Sequence, residues 1–190
     1  MHQKKGKEFL PLLIIPVVLV FTGFLLLYEN RTWSCACGSL YPWIGDIWSA
    51  DASQHLFDPY SFTHVLHGVI FCGLLAWCLP QFSTIWRFVF AVSLEGLWEV
   101  IENSTFIIQR YREATVTLGY QGDSIINSFG DIIACGLGFT IAWHLGFRRA
   151  FILFIVIEIV LLFWIKDGLL LNILMLLYPI EGIKAWQMSH

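Results

Sequence analysis

The chain has 190 residues, 57% hydrophobic and only 13% charged, with a formal net charge of -3. A soluble domain is roughly one quarter charged, so this composition and a mean hydropathy of +0.70 exclude an ordinary water-solvated globule. The mild charge balance gives no support to a nucleic-acid partner.

The first apolar run, Phe9 to Tyr28, follows Lys4, Lys5 and Lys7. It reads as a membrane helix rather than a signal peptide, being longer than a signal core and lacking a small-x-small cleavage site before Glu29. Residues 29 to 62 form a polar connection rich in turn formers, among them Gly38, Pro42, Gly45, Asp58 and Pro59, with room for a short helix. Trp33, Trp43 and Trp48 suit an aromatic belt at a membrane surface. Further spans are expected at about 62–79, ending at Pro80, and at about 85–103, then, after a polar stretch from 104 to 123, at about 124–145 and 150–165. Lys166, Asp167 and Gly168 break the pattern, leaving 169–184 as a sixth span or a re-entrant or interfacial helix. The predicted fold is all-α: one domain, a multi-pass transmembrane bundle of five to six helices. The excess of Lys and Arg expected in cytoplasmic loops places the N-terminus, Arg87, Arg148 and Arg149 inside, and Arg31, Arg110, Arg112 and Lys166 outside.

Of the five cysteines, Cys72, Cys78 and Cys135 lie in apolar runs and read as packing. Cys35 and Cys37 look exposed. With one residue between them they are poorly placed to bridge each other, which leaves pairing elsewhere, metal binding or the reduced state open.

The polar residues inside the spans carry the chemistry. Glu95, Glu99 and Glu102 are spaced by four and three residues, which stacks them on one helix face. Asp123, Asn127 and Asp131 recur every four residues, and His64 and His67 are one turn apart. A charged group at the centre of a membrane helix costs roughly 2.5 to 3.5 kcal/mol, so it turns inward and finds partners. Since each set lies in the outward half of its span, the three are expected to converge. Two His with several carboxylates suit a divalent metal such as zinc, iron or manganese, with His64, His67, Glu102 and Asp123 as ligands. Glu95, Glu99 and Asp131 are the candidate catalytic acids and bases. Arg110 and Arg112, against the charge rule on the outer side, could hold an anionic lipid head group, with Asn103 and Asn127 as further substrate contacts. The bland alternative is a hydrogen-bonded network that only holds helices together.

These residues also carry a resemblance. The segments Cys35-Ala-Cys37-Gly38, Ser53-Gln54-His55, His64-x-x-His67-Gly68, Trp98-Glu99 and Glu102-Asn103-Ser104 are similar to those of uncharacterised protein family 0314, small multi-pass inner-membrane proteins of alphaproteobacterial type. The likeness continues through Arg110-Tyr111-Arg112, Thr115, Tyr120, Gly122-Asp123-Ser124-Ile125, Asn127-Ser128 and Asp131 to Asp167-Gly168, Leu171-Asn172 and Trp186-Gln187. Asp51-Ala52 stands where the family pattern has Glu-Asn. The resemblance implies a bacterial inner-membrane location and carries no activity. The leading expectation is therefore an enzyme acting on a lipid or lipid-linked envelope substrate at an outward-facing site. A proton- or cation-coupled transporter and a structural or assembly subunit are the alternatives.

Overall fold

A computed structural model describes residues 10–114 and 120–189. Lys4, Lys5, Lys7 and Thr115 lie outside the described residues. Within them the chain is helical with no strand: a 3-10 turn at Leu10–Leu13 leads into α1 (Ile14–Tyr28), followed by α2 (Ser61–Cys78), α3 (Thr84–Glu102), α4 (Thr105–Ala114), α5 (Ile125–Leu145), α6 (Phe147–Trp164), α7 (Leu169–Leu177) and α8 (Glu181–Gln187). Among the described residues, three stretches are long and apolar enough to cross a membrane: Leu10–Tyr28, Ser61–Cys78 and Ile125–Leu145. Helices α3 and α6 match them in length, at 19 and 18 residues. They carry more charge, with Arg87 and three Glu on α3 and Arg148, Arg149 and Glu158 on α6.

Two stretches depart from the sequence expectation. The polar segment after Asn103 contains helix α4, whose apolar Ile108 and Tyr111 are buried while Gln109 and Arg112 face out. Residues 169–184 form two short helices rather than one long one. The nine residues of α7 reach roughly 14 Å at 1.5 Å per residue, under half of a hydrocarbon layer about 30 Å thick.

Local chemistry sets the boundaries. Ser83 and Ser124 cap α3 and α5, each side chain accepting a backbone N–H three residues on, from Trp86 and Asn127. Gly146, at φ 72°, reverses the chain between α5 and α6 without a Cβ to oppose it. Glu158 accepts from the N–H groups of Leu169 and Leu170 at 2.8 and 3.2 Å. It thus satisfies donors that the start of α7 would otherwise leave open.

The most extensive contact in the bundle joins α2 and α5. A Cβ on Gly68 would lie 2.0 Å from the Cys135 carbonyl oxygen, and one on Gly138 2.0 Å from that of Val65. Gly130, Ala134 and Gly138 form a small-residue stripe at four-residue spacing: Gly130 meets the loop backbone at Leu56, and Gly138 lets the α2 and α5 backbones approach closely.

Residues 29–60 form an ordered loop of turns without a helix, packed over the end where α2 and α5 begin and α3 finishes. Ser124, Ile125 and Ile126 donate their N–H groups to the carbonyls of Ser53, Thr32 and Trp33 at 2.9, 2.9 and 3.1 Å. The loop therefore caps α5. Buried Asp58 ties it to α2, accepting from the N–H groups of Tyr60 at 2.7 Å and Ser61 at 3.3 Å, and from the Ser53 hydroxyl at 3.1 Å. Trp43 stacks on Trp164 with ring centroids 6.1 Å apart and meets Phe62, so aromatic rings gather at this same end.

The structure corrects the expectation for Cys35 and Cys37, which it joins as a disulfide. An extended two-residue step spans roughly 7 Å. Here a turn, closed by the Gly38 N–H on the Cys35 carbonyl at 3.3 Å, shortens the Cα–Cα distance to 5.2 Å, inside the usual range for a bridge.

Candidate functional site

Because α2 and α5 start at the loop-covered end and α3 finishes there, the first turns of two helices face the last turns of the third. His64 and His67 of α2 both turn toward Glu95 of α3. His64 Nδ1 lies 2.6 Å from Glu95 Oε1, and His67 Nδ1 lies 3.0 and 3.1 Å from its two carboxylate oxygens. His64 Nδ1 is also 3.4 Å from Glu99 Oε1, while its Nε2 faces Asp131 Oδ2 of α5 at 3.9 Å. Glu95 and Glu99 are fully buried, and His64 and Asp131 nearly so. The ring of His67, 15% exposed, is the part of the cluster nearest to open space. Edge-on contact with Trp98, at 5.9 Å between centroids, holds it.

The charges do not balance. Glu95, Glu99, Glu102 and Asp131 offer four carboxyl groups against two imidazoles, so the cluster must hold protons or a cation to avoid uncompensated negative charge in a dry interior. Several oxygens also lack hydrogen-bond partners, namely both of Glu99, Oε2 of Glu102 and Oδ1 of Asp131. Buried polar atoms are normally paired; here they face one another. Two overlapping groups, His64 with His67 and Glu95, and His64 with Glu99 and Glu102, bring ligand atoms within 4.8 Å of one another and could hold a metal ion.

His64 belongs to both groups, with His67 and Glu95 in one and with Glu99 and Glu102 in the other, and Asp131 faces it at 3.9 Å. Asp123 turns elsewhere: Asn103 Nδ2 donates to its Oδ2 at 2.9 Å, Tyr120 donates to its Oδ1 at 2.8 Å, and its N–H donates to Asn103 Oδ1 at 2.6 Å. Burial and the facing Glu102 push the Asp123 carboxyl up, to about 7. Asn103 also donates to the Glu99 carbonyl at 3.0 Å, so it locks the exit of α3 to the entry of α5. Asn127 donates to the His55 carbonyl at 2.8 Å. Arg110 donates through Nε to the Leu176 carbonyl at 2.8 Å, and Arg112 donates to the Tyr120 carbonyl. Both thus meet backbone oxygens, and Arg110 also lines the cavity described next.

A cavity of about 1800 Å³ opens beside the cluster. Its polar side includes His64, His67 and Asp131. Its apolar side includes Leu97 of α3 and Leu177 at the end of α7, which are 55% and 77% exposed. A second grouping sits at its rim in the loop, where Cys35, Cys37, Asp51 and His55 also bring ligand atoms within 4.8 Å of one another. The paired motifs Cys-x-Cys and Ser-Gln-His were visible in the sequence, but their meeting depends on loop turns that no periodicity reports.

A family model described as "Protein of unknown function (DUF2585)" matches residues 26–189. A UPF0314 protein of Paracoccus denitrificans is 42% identical over 171 residues, covering 90% of this chain and 89% of that one. UPF0314 proteins of Sphingopyxis alaskensis and Brucella anthropi are 39% and 38% identical, each over 92% of this chain and over 93% and 89% of their own lengths. No solved structure matches.

Proposed function

The chain belongs to the DUF2585 family, and we propose that it is a multi-pass inner-membrane enzyme that uses a divalent metal to act on a lipid or lipid-linked envelope substrate. The observation that carries this is the single cavity of about 1800 Å³ with His64, His67 and Asp131 on one side and exposed Leu97 and Leu177 on another. An amphipathic molecule would place its head group at the charged cluster and its chains along the leucines. His64 and His67 with Glu95, or His64 with Glu99 and Glu102, would bind the ion. Imidazole and carboxylate together suit zinc, iron or manganese, and such an ion supplies a Lewis acid and acidifies bound water. Glu95 is already engaged by both imidazoles, so Asp131, with an unpartnered Oδ1 on the cavity wall, is the better general base. Lysines and arginines assigned to the inner side put the cluster under the outer surface. Glu158 is occupied in capping α7, so it does not extend a polar path inward, which favours one-sided chemistry over a carrier.

The test is metal analysis of detergent-purified protein, native and with His64→Ala plus His67→Ala, together with lipid profiling of a deletion strain. About one equivalent of metal that disappears in the double variant, and an accumulating lipid species in the strain, are expected. Native protein free of metal after expression with zinc, iron and manganese would sink the metal; an unchanged lipid profile would sink the lipid substrate.

A further inference from the structure

We propose that Cys35 and Cys37 are a redox-active pair that exchanges disulfides with a dithiol on a second molecule reaching the loop-covered end of the bundle. The pair is asymmetric in the way that such exchange requires. Cys37 is exposed and open to attack, whereas Cys35 is 6% exposed and sits with its Sγ 3.5 Å from Asp51 Oδ1. Rates of exchange depend on access to the attacked sulfur and on how readily the leaving sulfur departs as a thiolate. Asp51 is placed to take and return the Cys35 proton.

His55 supplies the second observation. It is 1% exposed, and its Nδ1 accepts the Tyr41 N–H at 3.1 Å, so the neutral ring carries its proton on Nε2. That buried Nε2 has no hydrogen-bond partner. Cys35, Cys37, Asp51 and His55 nonetheless offer atoms within 4.8 Å of one another. The His55 ring lies beside the disulfide, and its unpartnered N–H would gain an acceptor if the bond opened and a thiolate formed within its reach. The same tautomer argues against a metal held through Nε2, whose lone pair is taken by its proton.

The step balances as a two-electron transfer. A thiolate of the substrate attacks Cys37 Sγ, the Cys35–Cys37 bond breaks, and Cys35 leaves as a thiolate that His55 and Asp51 help to protonate. The second thiol of the substrate then attacks its own sulfur in the mixed disulfide and releases Cys37. The substrate dithiol is oxidised to a disulfide, losing two electrons and two protons, and the pair is reduced to two thiols. A disulfide donor, such as oxidised glutathione, reverses the step.

Detergent-purified full-length protein tests this without reference to lipid or sidedness. Equilibration across mixtures of reduced and oxidised dithiothreitol, followed by alkylation and peptide mass analysis, should show Cys35 and Cys37 converting together while buried Cys135 is alkylated only after unfolding. Reduced Cys35→Ser should form a lasting glutathione adduct on Cys37 when given oxidised glutathione. Asp51→Asn and His55→Gln should each slow exchange at least tenfold with thermal unfolding unchanged. A pair that stays in one state across the series overturns the proposal, as does exchange at native rate in both variants. A near-ultraviolet thiolate-to-cobalt band on adding Co2+ to the reduced chain, lost in Cys35→Ser, would also overturn it and make the loop a metal site.

Discussion

At the residue scale, His64 is asked to do more than one proton allows. Its Nδ1 faces Glu95 and Glu99 while its Nε2 faces Asp131, and a neutral imidazole donates from only one ring nitrogen. Either the ring is an imidazolium, or a facing carboxyl carries a proton, or a cation takes one side. Glu95→Gln separates these cases, because Gln keeps the shape and one acceptor but loses the charge that both imidazoles share. If Glu95 is a ligand, bound metal should fall at least about tenfold, with thermal stability in detergent changed by only about 1 kcal/mol. Full retention of metal in Glu95→Gln would move the ion to the Glu99 and Glu102 side. Asn103 makes a contrasting case, since its amide holds Asp123 and the Glu99 carbonyl with no exposure to solvent. Asn103→Ala should cost about 2 to 3 kcal/mol in unfolding experiments and leave metal binding intact at low temperature. Spacing put each polar set on one helix face, and the position of each set in the same half of its span was what led to the expected convergence. It could not announce that Asn103 would divert Asp123 from the cluster, since that pairing closes across a 20-residue gap.

At the element scale, the α2–α5 seam sets the distance between His64 and Asp131, and it depends on glycine. Gly138→Val would place a methyl-bearing carbon against the Val65 backbone oxygen, where neither partner can swing aside. We expect a loss of roughly 3 kcal/mol, read as a lower unfolding temperature together with lost metal. An unchanged unfolding temperature would mean that the helices pack less closely. The i, i+4, i+8 pattern of Gly130, Ala134 and Gly138 was present in the sequence and is the signal that hydropathy alone passes over. The break between α6 and α7 gives a pH test. Asp167 is buried and accepts the Tyr60 hydroxyl at 3.3 Å and the Gly168 N–H at 2.9 Å. Burial, against these hydrogen bonds, pushes its carboxyl up to about 6. The folded chain therefore holds this proton more tightly than the unfolded chain does. Stability from this group is fully present below the unfolded value near 3.8 and is lost as pH rises through about 6, a change of about 3 kcal/mol. Unfolding temperatures of native protein and Asp167→Asn, measured from pH 4 to 8, should converge at low pH, with the native protein falling below the variant above pH 6. Parallel curves would show that Asp167 does not titrate in this range.

At the scale of the whole molecule, the long helices alternate in direction, so the starts of α2 and α5 meet the ends of α1, α3 and α6 under one loop. Apolar run lengths made these helices legible, because a chain that meets hydrocarbon must satisfy its backbone internally. The loop and α4 were not legible, since their order comes from contacts with helix ends rather than from a repeat. The consequence is a bundle with one polar end and a cavity that reaches both the charged cluster and exposed leucine. If that cavity holds lipid, Leu97→Lys should reduce tightly bound phospholipid severalfold in native mass spectrometry, because a charge on an apolar wall opposes acyl chains there. The charge itself costs up to roughly 2.5 to 3.5 kcal/mol within a span, so the control must carry the same cost; Leu97 is 55% exposed. Ile133 on α5 has the same exposure but is not part of the cavity wall, so Ile133→Lys controls for a general effect on the lipid-facing surface. Equal loss of lipid in both variants would reduce the cavity to ordinary bilayer contact, and loss confined to Leu97→Lys would identify it as the seat of the substrate.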